Sequence, residues 1–231
     1  MKRLVLFDIA GTRLSARGVP RIAFGGALEE VFGTCGPIDG HTFDGKTDPQ
    51  IARELLRLAG RADAEIERGL PSLWDAYLRR LRLALAKPGR DVLVYPGVRE
   101  LLDRLEQLPG DIVLGLLTGN IREGAHLKLR HAGIGNHFRV GAFGSDHERR
   151  DRLPAVAVAR ARDLTGVHFR AGDVVIVGDT PADMSCGRSL TVRAIGVLTG
   201  RYDREALLTA GAHQVFADLS DTTEVLAAIM S

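Results

Sequence analysis

Four groups of reactive side chains each come at or soon after the end of a short apolar run. Asp8 ends the run beginning at Leu4, and Thr118 ends the run from Ile112 to Leu117. The basic stretch HERRDRLP (His147 to Pro154) comes soon after Arg139 to Phe143, and Asp179 and Asp183 follow Val174 to Val177. In open α/β sheets, ligands bind at the carboxyl ends of the strands. Polar residues at four such ends therefore converge on one site. The residue types suit phosphoryl transfer, which needs an oxygen nucleophile, a cation and donors around the transferring oxygens. Asp8 can act as the nucleophile and carry an aspartyl-phosphate. Asp8 and Asp179 offer the hard oxygen ligands that Mg²⁺ prefers. Asp183 either holds a water of that ion or orients the basic residue. Thr118, with the backbone N–H groups of Gly119 and Asn120, would take phosphate oxygens.

The elements that must position these groups alternate in type. Leu4 to Phe7, Ile112 to Leu117, Val174 to Val177 and Val192 to Val197 are short, apolar and not alternating, as strands buried on both faces are. Arg139 to Phe143 is a weaker run of the same kind. Between them lie helical patterns at Val98 to Leu108, Arg122 to His131, Leu153 to Arg162, Ala182 to Leu190 and Thr222 to Ile229. Pro96-Gly97 introduces the first of these. Alternation of this kind predicts a parallel sheet with helices on both faces. The stretch from Ala16 to Arg90 breaks the rhythm, with helical patterns at Arg21 to Phe32, Pro49 to Leu58 and Ala64 to Leu85 but no buried strand. Ile66, Leu70, Leu73, Tyr77 and Leu81 recur at helical spacing in the last. Turns are expected at Gly18-Val19-Pro20 and Lys87-Pro88-Gly89.

Composition excludes several classes. With 231 residues, the chain is long enough for a core and a second small domain. Hydrophobic residues make up 45% and charged residues 26%, as in ordinary globular proteins. A net charge of +2 gives no reason to expect nucleic acid or an acidic membrane surface as partner. The positive charge is nearly all arginine; the lysines are Lys2, Lys46, Lys87 and Lys128. Cys35 and Cys186 match no metal spacing and read as reduced thiols of a cytoplasmic protein. The apolar run before Asp8 is too short for a signal peptide, and no stretch reaches the roughly 18 apolar residues of a membrane span.

The run VLFDIAGT (Val5 to Thr12) resembles the first motif of the haloacid dehalogenase-like superfamily, hhhhDxDGT, and GLLTGN and VVIVGDTPADM resemble its second and fourth. The likeness covers essentially the whole chain. GKTDPQ (Gly45 to Gln50) and the tail from Thr199 are similar to the phosphoglycolate-phosphatase-like branch with a helical cap. The resemblance implies a Rossmann-like three-layer core with a central parallel sheet of order 5-4-1-2-3, formed by residues 1–15 and 91–231, and a helical cap over 16–90. It implies a Mg²⁺-dependent phosphatase acting on a small phosphorylated metabolite. The ion would be held by Asp8, Asp179, Asp183 and the backbone carbonyl of residue 10. The third motif normally supplies a lysine. No lysine follows Lys128, so arginine takes its place, and the likeness of RRDRLP to DRNELP points to Arg150, with Arg149 and Arg152 left open. The cap lends a residue that touches substrate, for which Lys46 is the candidate.

One position departs from the pattern. Where the family carries its acid/base aspartate, this chain has Ala10. Alanine can neither protonate a leaving alkoxide nor activate water, although its carbonyl remains for a metal. Three readings follow. The chain is a phosphatase impaired by loss of its acid; or a carbon–phosphorus hydrolase resembling phosphonoacetaldehyde hydrolases, which carry alanine here and use a cap lysine, with Lys46 in that role; or a non-catalytic binder of a phosphate ligand. The likeness of GKTDPQ to the phosphatase branch favours the first.

Overall fold

The computed structural model describes residues 2–9, 14–15, 18–87, 92–108, 110 and 112–231. Ala10, and with it the carbonyl expected to face a metal, lies outside the described residues, as do Pro88 and Gly89 of the expected turn.

Six parallel strands form the main sheet: β1 (Arg3–Phe7), β4 (Ile112–Thr118), β5 (Val140–Phe143), β6 (Val174–Gly178), β7 (Arg193–Val197) and β8 (Gln214–Phe216). Their spatial order is β5-β4-β1-β6-β7-β8. The five strands expected from the sequence run in the expected order with β1 central. The structure adds β8 beside β7, so the sheet is one strand wider than the sequence indicated. The helices that flank the sheet are α4 (Val98–Gln107), α5 (Arg122–Ala132), α6 (Leu153–Thr165), α7 (Pro181–Cys186), α8 (Arg204–Ala210) and, after the last strand, α9 (Thr222–Met230). The helix expected over Ala182 to Leu190 is shorter: α7 stops at Cys186 and a single 3₁₀ turn follows at Arg188–Leu190. Gly187, between them, packs so closely on Val192 and Ile176 that a Cβ there would stand 2.2 Å from the valine side chain.

Period-two alternation sorts the central strands into two apolar layers. Leu4 and Leu6 of β1 join Val174 and Ile176 of β6 under Ala157 and Ala161 of α6. Val5 and Phe7 join Val175 and Val177 on the other face, against Leu101 and Leu105 of α4 and Ile229 of α9. A fully buried Leu or Val side chain contributes about 1.5–3 kcal/mol relative to an exposed one. Two covered faces therefore explain why these strands read as unbroken apolar runs.

Three α-helices occupy the described residues 18–87: α1 (Val19–Phe32), α2 (Asp48–Leu58) and α3 (Asp63–Leu85). The described residues from 18 to 87 add no strand to the main sheet. Helix α3 runs through Pro71, which removes one backbone donor. Its buried stripe of Ile66, Leu70, Leu73, Tyr77 and Leu81 outweighs that loss. Tyr77 packs edge-on against Phe24 of α1, with ring centroids 5.3 Å apart. The apolar cluster continues from these helices into the sheet layer without a break. A small antiparallel ribbon brackets the segment: β2 (Leu14–Ser15) pairs with β3 (Leu93–Val94). Among the described residues no helix is long and apolar enough to cross a membrane.

Gly97 enters α4 with φ at +76°, and a Cβ there would stand 1.8 Å from the Leu219 carbonyl oxygen. Gly97→Ala is expected to lower stability by more than about 1 kcal/mol, since both the left-handed backbone and the close approach exclude a side chain. A reduced midpoint in urea unfolding checks this.

Candidate active site

The register of the three central strands brings the reactive residues together. Phe7 pairs with Leu116 on one side and Val177 on the other. One residue further on, Asp8 donates its backbone N–H to the Val177 carbonyl at 2.9 Å. Thr118 and Asp179 lie at the same edge, at the ends of the flanking strands. All three are buried. The order of strands reverses direction around β1, and this is the position where open α/β sheets bind ligands.

Arg150 closes the cluster. It sits in a single 3₁₀ turn, Arg150–Arg152, just before α6, and is 8% exposed. Its Nη2 donates to Asp8 Oδ1 at 2.9 Å and also to Asp183 Oδ1. The structure separates the three arginines that the sequence left open: Arg149 pairs with Asp151 at the surface and Arg152 is exposed. Burial pushes the Asp8 carboxyl up; Arg150 opposes this and Asp183 adds to it, leaving Asp8 at about 6. Burial alone would lower the Arg150 guanidinium, but Asp183 and Asp8 reverse the effect and raise it.

Asp183 is fixed from the other side. Its Oδ2 accepts from the backbone N–H groups of Thr180 at 3.0 Å and Asp179 at 3.2 Å, and from the Thr180 hydroxyl at 2.7 Å. Thr180 in turn accepts from the Asp183 N–H, a reciprocal cap on α7. The other Asp183 oxygen, Oδ1, pairs with Arg150. Carboxylate oxygens of Asp8, Asp179 and Asp183 lie within 4.8 Å of one another. Gly200 faces Asp179 so closely that a Cβ would stand 2.1 Å from Oδ2. Three carboxylates, two of them paired with one guanidinium, form a cluster of net negative charge made only of hard oxygen donors. That donor chemistry fits a small divalent cation such as Mg²⁺.

The loop after β4 meets the helical segment. The Thr118 hydroxyl accepts from the Asn120 N–H at 3.3 Å. Gly119 gives its carbonyl to the Asp48 N–H at 2.7 Å, and Asp48 Oδ2 accepts from the Ile121 N–H at 2.8 Å. Thr47 caps α2 through Gln50 and donates its hydroxyl to the Glu148 carbonyl at 2.6 Å. A Cβ on Gly119 would stand 2.1 Å from the Lys46 carbonyl oxygen, so this contact requires glycine. Lys46 lines the cavity, and its ammonium pairs with Glu54 at 2.5 Å. The sequence neighbours Asp44 and Asp48 face elsewhere: Asp44 pairs with Arg201, and Asp48 bonds the Ile121 N–H. His126 packs on the Phe143 ring and His213 accepts from the Ala194 N–H, so neither reaches the acidic cluster.

Two buried residues of the site were not singled out from the sequence. Asp48 stands there only as a charged neighbour of Lys46. Lys128 sits four residues after Gly124 and four before Ala132, on the stripe that α5 buries. A lysine on the small-residue face of a helix is the signal that marks it. A cavity of about 430 Å³ unites these groups, with Asp8, Thr118, Lys128, Arg150 and Asp179 on its walls and Phe24 and Tyr77 from the helical segment.

Residues 5–188 match the family model of haloacid dehalogenase-like hydrolases. The chain belongs to that family. It is 25% identical to a phosphoglycolate phosphatase of Synechococcus elongatus, over 98% of each chain. Among solved structures, a hydrolase from Pseudomonas syringae superposes with a TM-score of 0.72 at 22% identity, covering 100% of both chains. CbbY from Rhodobacter sphaeroides, solved in complex with phosphate, superposes with a TM-score of 0.67 at 17% identity, covering 96% of both.

Removing the guanidinium alone would leave Asp8 and Asp183 as uncompensated buried charges. Arg150→Ala is therefore expected to destabilise the protein by about 3–5 kcal/mol, the usual cost of breaking a buried pair from one side. Urea denaturation at pH 7 measures it.

Proposed function

We propose that this chain is a Mg²⁺-dependent phosphatase acting on a small phosphorylated metabolite through an aspartyl-phosphate on Asp8. The observation that carries the reading is the buried Asp8–Arg150–Asp183 array, beside Thr118 and Asp179 in one cavity. The Synechococcus relative and the phosphate complex of the CbbY neighbour support the same substrate class. Asp8 and Asp179 would hold Mg²⁺ together with the carbonyl of residue 10, and Asp183 stands beside them. When bound, the ion would offset carboxylate and phosphate charge.

The protein groups divide the remaining work. Arg150 holds one Asp8 oxygen in place, and the other oxygen attacks phosphorus. The ester P–O bond breaks and its electron pair leaves on the alkoxide. Water then attacks the phosphorus of the acyl phosphate, releasing inorganic phosphate and regenerating the carboxylate. Thr118 and the backbone of Gly119 and Asn120 bind the transferring oxygens. Both the alkoxide and the attacking water call for a proton carrier, and Ala10 supplies none. We read the chain as slow for this reason: a positioned acid/base contributes roughly 10²–10⁴-fold in rate.

Residues 16–90 act as a cap over the site in this reading, supported by the cavity walls that Phe24, Lys46, Asp48 and Tyr77 provide. Lys46 meets substrate as a cation. Its amine is engaged by Glu54 at 2.5 Å rather than turned toward a substrate carbonyl as a Schiff base would need. The unbridged thiols Cys35 and Cys186 agree with a cytoplasmic setting.

Two measurements test the proposal. Ala10→Asp should raise Mg²⁺-supported release of phosphate from a panel of small phosphate esters at least about 100-fold. A parent chain that is already fast and is slowed by the substitution overturns the assignment, and bound phosphate without any hydrolysis in either form indicates a binder. Separately, Asp179→Asn should weaken Mg²⁺ binding in calorimetry; an unchanged affinity removes Asp179 from the metal site.

A further inference from the structure

We propose that Lys128 is a second cationic ligand for the phosphoryl group, acting beside Thr118; this rests on the phosphatase reading of the site. Lys128 is 5% exposed and projects from α5 into the wall of the cavity that holds Asp8. An ammonium has three donors. Only one is engaged among the described residues, by Asn120 Oδ1 at 2.7 Å. Asp48 and Asp8 act on the ammonium through space, but no carboxylate of the described residues stands within ion-pair distance of it.

The other cations of the cavity are committed differently. Arg150 lies between Asp8 and Asp183, Lys46 pairs with Glu54, and Arg201 pairs with Asp44. Arg21 donates to the carbonyls of Ile38 and His41 and stacks on Phe43. Lys128 is thus a buried positive charge with donors still to be satisfied. Burying an ammonium away from water is costly unless its donors find acceptors. A dianionic phosphoryl group entering the cavity supplies them.

Placement indicates which part of the substrate it meets. Asn120 is two residues after Thr118, and its own N–H bonds the Thr118 hydroxyl. The Lys128–Asn120 bond therefore fixes the ammonium against the loop that presents Thr118. Burial lowers the affinity of the amine for its proton, with Asp48 and Asp8 opposing. A bound anion shifts the balance back toward the ammonium. The role is one of binding charge that is present in the ground state and redistributed during transfer.

The chain's four lysines make the test direct. The unsubstituted protein, labelled with ¹³C-lysine and loaded with Mg²⁺, is titrated with inorganic phosphate by NMR. The Lys128 side-chain resonance, assigned by its absence in Lys128→Met, is expected to shift and saturate with the phosphate. In calorimetry, Lys128→Met should weaken phosphate binding at least 10-fold, and Thr118→Val should also weaken it. A Lys128→Met protein that melts like the parent and binds phosphate equally well overturns the inference. If that variant does not fold, a Lys128 resonance unmoved by saturating phosphate in the parent overturns it. Phosphate binding lost in Thr118→Val but kept in Lys128→Met removes Lys128 alone and leaves the phosphatase reading standing. A parent that binds no phosphate removes both.

Discussion

Carboxylates gathered at the ends of two buried strands and on the helix that follows one of them repel one another and lose hydration, and the guanidinium of Arg150 makes their neighbourhood tolerable. A buried ion carries an effective penalty of several kcal/mol unless its partners are well placed. Placement here is controlled from every side. Parallel register sets Asp8 level with the ends of β4 and β6. The Thr180 cap holds one oxygen of Asp183, which leaves the other for Arg150. The turn before α6 brings the guanidinium in beneath them, where it also reaches the Leu117 carbonyl at 3.4 Å. Sheet, cap and turn are elements of different kinds, and this one cation links them.

The second constraint is closeness. The stretch from Gly45 to Asp48 lies against two loops of the sheet edge with backbone nearly touching backbone. Gly119 faces the Lys46 carbonyl, Gly144 faces the Gly119 carbonyl, and Gly45 faces Ala182. Side chains at these positions would hold the surfaces apart. Their absence lets Asp48 reach the Ile121 N–H and Thr47 reach the Glu148 carbonyl. The helical segment is thus joined to the core by directional hydrogen bonds at the cavity rim as well as by apolar contact.

Much of this was legible in the sequence, and the exceptions have physical causes. The central strands announced themselves because burial on both faces demands unbroken apolar runs. Strand β8 did not, since it is three residues long at the sheet margin with one buried residue, Val215. Helix α8, at seven residues, buries only Leu207 and shows too little periodicity. Asp8, Thr118, Asp179 and Asp183 could be picked out because polar residues at and just after strand ends, in fixed order, are visible in one dimension; Arg150 came from the likeness of RRDRLP to DRNELP. Lys128 was not, because a lysine in an amphipathic helix reads as solvated until its neighbours are known. The environment of Lys46 was also hidden: Asp44 and Asp48 are its neighbours in sequence, whereas Glu54, eight residues away and nearly two turns into α2, supplies the contact.

The ribbon of β2 and β3 has a consequence for how such a chain can diverge. Leu14 pairs with Val94 and Ser15 with Leu93, so the chain departs from the sheet edge and returns at a single point. Everything between is a closed excursion whose length enters the cost of closure only logarithmically. Helices there can lengthen, shorten or exchange side chains while the pairing of β1 with β4 keeps its register. Descent with modification can therefore alter what covers the cavity independently of the machinery beneath it, with one limit: the glycine contacts at the rim must survive each change.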